Sequence, residues 1–242
     1  MELGVMLINK CNCRCDFCQT VPNSTGEIMS IDNYKNILRQ CQELKLFGQP
    51  ITLIRLDGNR EALLHPHFSE LLKITTNTGF ESSLVTNGIL LNNKNNIDDL
   101  VDNCTSINIS ITGITPDVYH HFQGYGKQNY AEQFQLVVNN VRKLLYVKNQ
   151  RNGKLRYVSI SFLVTEESGH QAKDALFFWK EMGVDALIFC INGKDWKKKL
   201  TTSNRYYNWG WGDAELYNHS HSCNKWRCFS LLSITGGIYA TG

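Results

Sequence analysis

Long apolar runs are absent from this 242-residue chain. None approaches the ~20 residues that a membrane-spanning helix needs, so a helical membrane protein is excluded. There is no room for an export signal, because Met1 leads within a few residues into the strand-like run Val5-Met6-Leu7-Ile8. Strong charge is also missing, and a net charge of +3 says little about partners. No short internal repeat is present, and only Asn92 to Asn96 is compositionally biased. A hydrophobic content of 42% with 19% charged residues is ordinary for a soluble globular protein, and the length can bury a full core.

Against these absences stand nine cysteines. Without an export signal the expected setting is cytoplasmic, where thiols serve metal ligation rather than disulfides. Asn-x-Ser/Thr triplets such as Asn103-Cys104-Thr105 are then chance matches.

The cysteines concentrate in Cys11-Asn12-Cys13-Arg14-Cys15-Asp16-Phe17-Cys18, where the first strand gives way to a loop. With Cys11, Cys15 and Cys18 as ligands the spacing is C-x3-C-x2-C, with an aromatic residue before the last cysteine. Three thiolates from one loop are too few to close a tetrahedral zinc site. They suit a [4Fe–4S] cluster in which each cysteine takes one iron and the fourth iron stays open. The bland alternative is a structural zinc knuckle built on Cys15 and Cys18 with a distant pair. Alternation along an extended segment would turn Cys13 away from Cys11 and Cys15, which makes it a bystander.

This cysteine pattern resembles the signature of the radical S-adenosylmethionine (radical SAM) superfamily. The chain around it reads as repeated strand and helix. Ser30 caps a helix carrying Tyr34, Ile37, Leu38, Cys41 and Leu44 at helical spacing, with Cys41 a packing residue. Strands are expected at Ile51 to Leu56, Ser82 to Thr86, Ser106 to Thr112, Tyr157 to Val164 and Val184 to Ile191. Helices are expected around Phe68 to Leu72, Ile97 to Val101, Tyr130 to Leu145 and Ala172 to Trp179. Six strands alternating with helices predict a parallel α/β sheet, two strands short of a closed barrel. The resemblance implies the same fold, an open partial (β/α)6 barrel, with residues 1–192 as the barrel and 193–242 as a short extension.

Ligands of such folds bind beyond the carboxyl ends of the strands. After strand two, Asp57-Gly58-Asn59-Arg60-Glu61-Ala62 resembles the family's Gly-Gly-Glu-Pro loop, which holds the amino group of S-adenosylmethionine. The resemblance implies that Glu61 is the family glutamate, with Asn59 and Arg60 replacing the glycine pair and Ala62 the proline. A surface carboxylate is the bland alternative. His65 and His67 flank a proline and read as a structural turn. The resemblance further places Asn87 of Thr86-Asn87-Gly88, Ser110 of Ile109-Ser110-Ile111-Thr112, and Ser168 near the cofactor. Thr112 stands where relatives carry an acid.

Past Asn192 the character changes, with Trp196, Trp209, Trp211 and Trp226, a lysine run at Lys194 and Lys197 to Lys199, and a hairpin expected in Phe229 to Tyr239. This tail resembles the cysteine-rich SPASM or twitch extension, with Cys223 as its first cysteine. Gly242 falls where another cysteine would stand, so a shortened, degenerate extension is implied. Cys223 and Cys228 with His219 or His221 are an alternative metal site.

The resemblance implies reductive cleavage of S-adenosylmethionine to a 5′-deoxyadenosyl radical that abstracts hydrogen from a substrate. The tail favours a peptide or protein side chain as that substrate, with a small molecule as the rival. A reductant such as flavodoxin or ferredoxin is an implied partner. A zinc-stabilised nucleic-acid-binding module is the rival from another class, and the α/β pattern stands against it.

Overall fold

Strand–helix alternation along the chain becomes one open sheet with helices packed on it. The computed structural model describes residues 1–15, 18, 25–46, 48–57, 60–93, 96–123, 130–164, 168–191 and 207–210. The first half runs β1 (Glu2–Met6), α1 (Ile31–Glu43), the short pair β2 (Lys45–Leu46) and β3 (Gln49–Pro50), then β4 (Leu53–Asp57) and α2 (Phe68–Asn77). It continues with β5 (Glu81–Thr86), α3 (Asn96–Asn103), β6 (Ser106–Ile111), α4 (Pro116–Gln123) and α5 (Tyr130–Gln150). The rest is β7 (Tyr157–Val164), α6 (Ala172–Met182), β8 (Ala186–Ile191) and β9 (Tyr207–Gly210).

The sheet order is β1-β4-β5-β6-β7-β8-β9. Its first six strands are parallel, and β9 pairs antiparallel with β8. The order does not close on itself, so this is the expected open α/β arrangement of six parallel strands. The seventh strand, β9, was not legible in the sequence. The expected hairpin at Phe229 to Tyr239 and the cysteines of the tail lie outside the described residues.

Local signals set the helix ends. Ser30 caps α1, its hydroxyl accepting the Asn33 N–H at 3.1 Å. Gly183 ends α6 in the left-handed region with φ 90°. Each helix buries an apolar stripe: Tyr34, Ile37, Leu38 and Cys41 from α1, and Val137, Val138, Val141, Leu144 and Leu145 from α5. Full burial of each such aliphatic side chain is worth about 1.5–3 kcal/mol.

The two faces of the sheet differ. Ile107, Ile109 and Ile111 of β6 are buried among the core residues, as are Leu84 of β5 and Ile160 of β7. Alternation puts Ser106, Asn108 and Ser110 on the opposite face, where they are only half-buried. Cross-strand register extends that face: Asn108 lies opposite Val85 and Ser159, and Ser110 opposite Ser161. Asn108 donates to Ser159 Oγ at 2.8 Å and accepts from Ser161 Oγ at 2.7 Å. The inner face is thus lined with small polar groups rather than filled with apolar ones.

Candidate active site

Parallel strands bring their carboxyl ends to one edge, and the polar residues singled out in the sequence collect there. The loop after β1 is held first by backbone. Met29 N–H donates to Leu7 O at 2.9 Å, Asn9 N–H to Glu27 O at 2.8 Å, and Gly26 N–H to Asn9 O at 2.9 Å. His65 supports the same segment as a neutral ring, its Nε2–H donating to Met29 O at 2.9 Å and its Nδ1 accepting the His67 N–H at 3.1 Å. Burial lowers its pKa, in keeping with the structural turn read from the sequence.

Cys11, Cys15 and Cys18 are each half-exposed, whereas Cys41 and Cys104 are buried in the core. Cys18 N–H donates to Cys15 O at 2.9 Å. Hydrogen bonding from Cys13 lowers the Cys11 pKa to about 6 against the opposing effect of burial, and the positive charge of Arg60 adds to the lowering. Cys13 does not turn away. It is buried, its N–H donates to Cys11 Sγ at 3.4 Å, and its thiol hydrogen-bonds the thiols of both Cys11 and Cys15. Those contacts raise its own pKa strongly. The physical reason is a bend at Asn12, which ends the strand-like alternation that would have pointed Cys13 outward.

Glu61 is not a surface carboxylate, being 1% exposed. Thr86 Oγ1–H and Leu63 N–H donate to its Oε1 at 2.9 and 3.3 Å, and Asn87 N–H donates to its Oε2 at 2.9 Å. Burial pushes its pKa up to about 7 against the lowering by Asn87 and Thr86. Its backbone N–H donates to Lys10 O at 3.1 Å, which ties this loop to the cysteine loop. Asn87 makes a second tie, its Nδ2 donating to Asn12 Oδ1 at 2.7 Å. Gly88 follows with φ +81°, and a Cβ there would meet Ile109 Cγ2 at 3.0 Å, so the tight turn after β5 requires glycine.

The remaining expected residues sit farther along the same edge. Ser110 is half-buried on the inner face of β6, and its carbonyl accepts from Gln123 Nε2 at 2.7 Å. Thr112 is buried, and its N–H and hydroxyl donate to Gln123 Oε1 at 3.1 and 3.2 Å. Ser168 is fully buried, with its hydroxyl donating to Leu163 O at 2.7 Å. The structure therefore brings together the cysteine loop, Glu61 and Asn87 by direct bonds, while Ser110 and Ser168 join them only through the shared edge. Asn59 lies outside the described residues.

Sequence reasoning missed three residues here. Tyr119 of α4 is fully buried with a hydroxyl that has no hydrogen-bond partner among the described residues, and its ring packs on Phe134 with centroids 5.6 Å apart. Burial raises its pKa, as do the charges of Cys13, Cys15 and Glu61. Thr115-Pro116 at the head of α4 is a helix-start signal that could have revealed the element. Gln123 and Gln171 pin the backbone after β6, Gln171 accepting the Ile114 N–H at 2.9 Å and donating to Thr115 Oγ1 at 2.6 Å. Nothing local in the sequence marks those two.

Among the described residues no three His, Cys, Asp or Glu side chains are gathered closely enough to hold a metal ion. The donor set nonetheless fits an iron–sulfur cluster in number, type and access. Three partly exposed thiols come from one loop, and the Cys11 pKa is lowered to about 6. Among the described residues no helix is long and apolar enough to cross a membrane.

Comparison with known proteins agrees with this geometry. Residues 5–153 match the family model described as the Radical SAM superfamily. The chain is 21% identical over 188 residues to a tungsten-containing aldehyde ferredoxin oxidoreductase cofactor-modifying protein of Pyrococcus furiosus, covering 77% of this chain and 50% of that one. It is 22% identical over 187 residues to a probable GTP 3′,8-cyclase of Metallosphaera sedula, covering 77% and 54%. The chain thus spans about half the length of the curated relatives it matches. The crystal structure of Streptococcus suis SuiB bound to the precursor peptide SuiA superposes with a TM-score of 0.61 at 16% identity, over 85% of this chain and 42% of that one. At that identity the match speaks for the fold.

Proposed function

The chain belongs to the radical SAM superfamily, and from that premise we propose that it is an enzyme abstracting hydrogen from a peptide or protein side chain. The observation that carries the reading is the convergence of the cysteine loop with the strand ends that follow β4 and β5. Glu61 N–H on Lys10 O and Asn87 Nδ2 on Asn12 Oδ1 join them. When bound, a [4Fe–4S] cluster and S-adenosylmethionine supply a 5′-deoxyadenosyl radical.

The chain's own residues do the rest. Cys11, Cys15 and Cys18 would hold three irons as thiolates. Glu61 Oε2 accepts one bond and keeps an acceptor position for the cofactor's ammonium. Its larger task is to fix the Thr86-Asn87-Gly88 turn, so that Asn87 meets the cysteine loop. Ser110 offers a hydroxyl on the polar inner face, and Asn59 belongs to the same loop as Glu61. Ser168, with its hydroxyl donated to Leu163 O, keeps its oxygen as an acceptor for the cofactor.

The peptide reading rests on the tail, residues 193–242, taken as a shortened SPASM-like extension that closes one side of the site and contacts substrate. SuiB bound to SuiA is a precedent for a peptide on this fold. Electrons would come from a flavodoxin or ferredoxin. The test is anaerobic incubation of the reconstituted chain with dithionite and S-adenosylmethionine, reading 5′-deoxyadenosine and methionine by mass spectrometry. Slow formation of both, lost in Cys15→Ala, is expected. A cluster-loaded chain that forms neither would overturn the reading.

A further inference from the structure

Arg60 stands where the family loop carries a glycine, and its guanidinium is set rather than free. Its Nε–H donates to Asn9 Oδ1 at 2.7 Å, and Asn9 is itself fixed by Nδ2 on Thr25 Oγ1 at 2.7 Å and by two backbone bonds. The neighbouring Glu61 N–H on Lys10 O holds this stretch beside the cysteine loop. One arm, Nη1, is buried with no hydrogen-bond partner among the described residues. No carboxylate among the described residues forms an ion pair with Arg60. A partly buried cation with an orphaned donor is costly unless something negative comes to it. Cys11 directly follows Lys10, so the Glu61–Lys10 bond sets the loop of Arg60 against the first cysteine.

We propose that Arg60 is a positioning residue for the iron–sulfur cluster, its spare N–H and fixed charge directed at the cluster's thiolate and sulfide shell, where they raise its reduction potential. The proposal rests on the cluster reading given above. Cluster potentials respond to net charge, to hydrogen bonds on sulfur and to exposure. On reduction the cluster takes one electron from the reductant and its charge becomes more negative by one. A fixed cation stabilises the reduced form more than the oxidised form. Outer groups of this kind commonly tune a metal centre without ligating it.

The test is a redox titration with dithionite on the anaerobically reconstituted chain without S-adenosylmethionine, followed by electron paramagnetic resonance. Arg60→Gln should take up the parent's iron and shift the one-electron equilibrium at least tenfold toward the oxidised form, a midpoint lowered by about 59 mV. Arg60→Lys keeps the charge but loses the planar fork, and should fall between the two. An unchanged midpoint in Arg60→Gln at parental iron content overturns the proposal. So does an unchanged midpoint joined to weaker S-adenosylmethionine binding, which would give Arg60 to the cofactor's carboxylate. Failure of both variants to take up iron also overturns it, since Arg60 would then serve assembly. A parent chain that holds no four-iron cluster instead removes the function reading itself.

Discussion

Glu61→Gln is the substitution whose consequence the structure fixes most closely. The carboxyl is buried, and burial raises its pKa from the ordinary carboxylate range to about 7. In the unfolded chain the same group releases its proton near pH ~4.3. Between those values the folded state binds more protons than the unfolded one, so stability is fully present at low pH and falls as pH rises to about 7. At 1.36 kcal/mol per tenfold, the loss by about pH 8 is roughly 4 kcal/mol. An amide cannot titrate. About 1 kcal/mol of that loss precedes pH 5, so the stability difference between Glu61→Gln and the parent should move by roughly 2.5 kcal/mol toward the variant between about pH 5 and pH 8. A constant offset of about 1–3 kcal/mol against the variant is expected if the amide turns its NH2 toward the Asn87 N–H. Urea unfolding of the metal-free chain, under reducing conditions, reads both quantities. Cys11, whose lowered pKa has the opposite sign, acts on Glu61 through its charge, so the measured difference includes the change in its titration. A difference that stays flat across the range would refute the buried, singly charged Glu61.

Two further outcomes follow from the same geometry. Cys11, with its pKa lowered to about 6, should react with iodoacetamide near pH ~7 well before Cys104 and Cys41, whose burial pushes theirs up to about 11. Mass mapping of the metal-free chain checks the order, and faster labelling of Cys104 would contradict it. Tyr119→Phe removes a buried hydroxyl with no partner among the described residues, so the metal-free chain should gain about 1 kcal/mol. A loss of stability instead would mean that the hydroxyl is paired.

The fold was legible where signals are local and periodic. Apolar alternation in Ile107, Ile109 and Ile111, the stripe from Phe134 to Leu145 and the Ser30 cap all became the elements they predict. The cysteine spacing was equally plain. What escaped is non-local or irregular. β9 exists through pairing with β8, and its four residues carry no pattern of their own. The bend at Asn12 swings Cys13 into the thiol cluster, and strand periodicity does not extend into such a loop. Glu61 was singled out by its loop's resemblance, but its burial was not legible, because Thr86 and Asn87 close over it from 25 and 26 residues later. Tyr119 gains its place from the packing of α4 against α5, which composition alone does not reveal.

Iron and acid-labile sulfide content after anaerobic reconstitution tests the central claim most directly. The parent chain should hold about four irons. Cys11→Ala, Cys15→Ala and Cys18→Ala should each lose the cluster's spectrum, whereas Cys41→Ala and the Cys223→Ala/Cys228→Ala pair should keep the parental iron. A colourless protein holding a single zinc, with the cysteine loop as its ligands, would contradict the account.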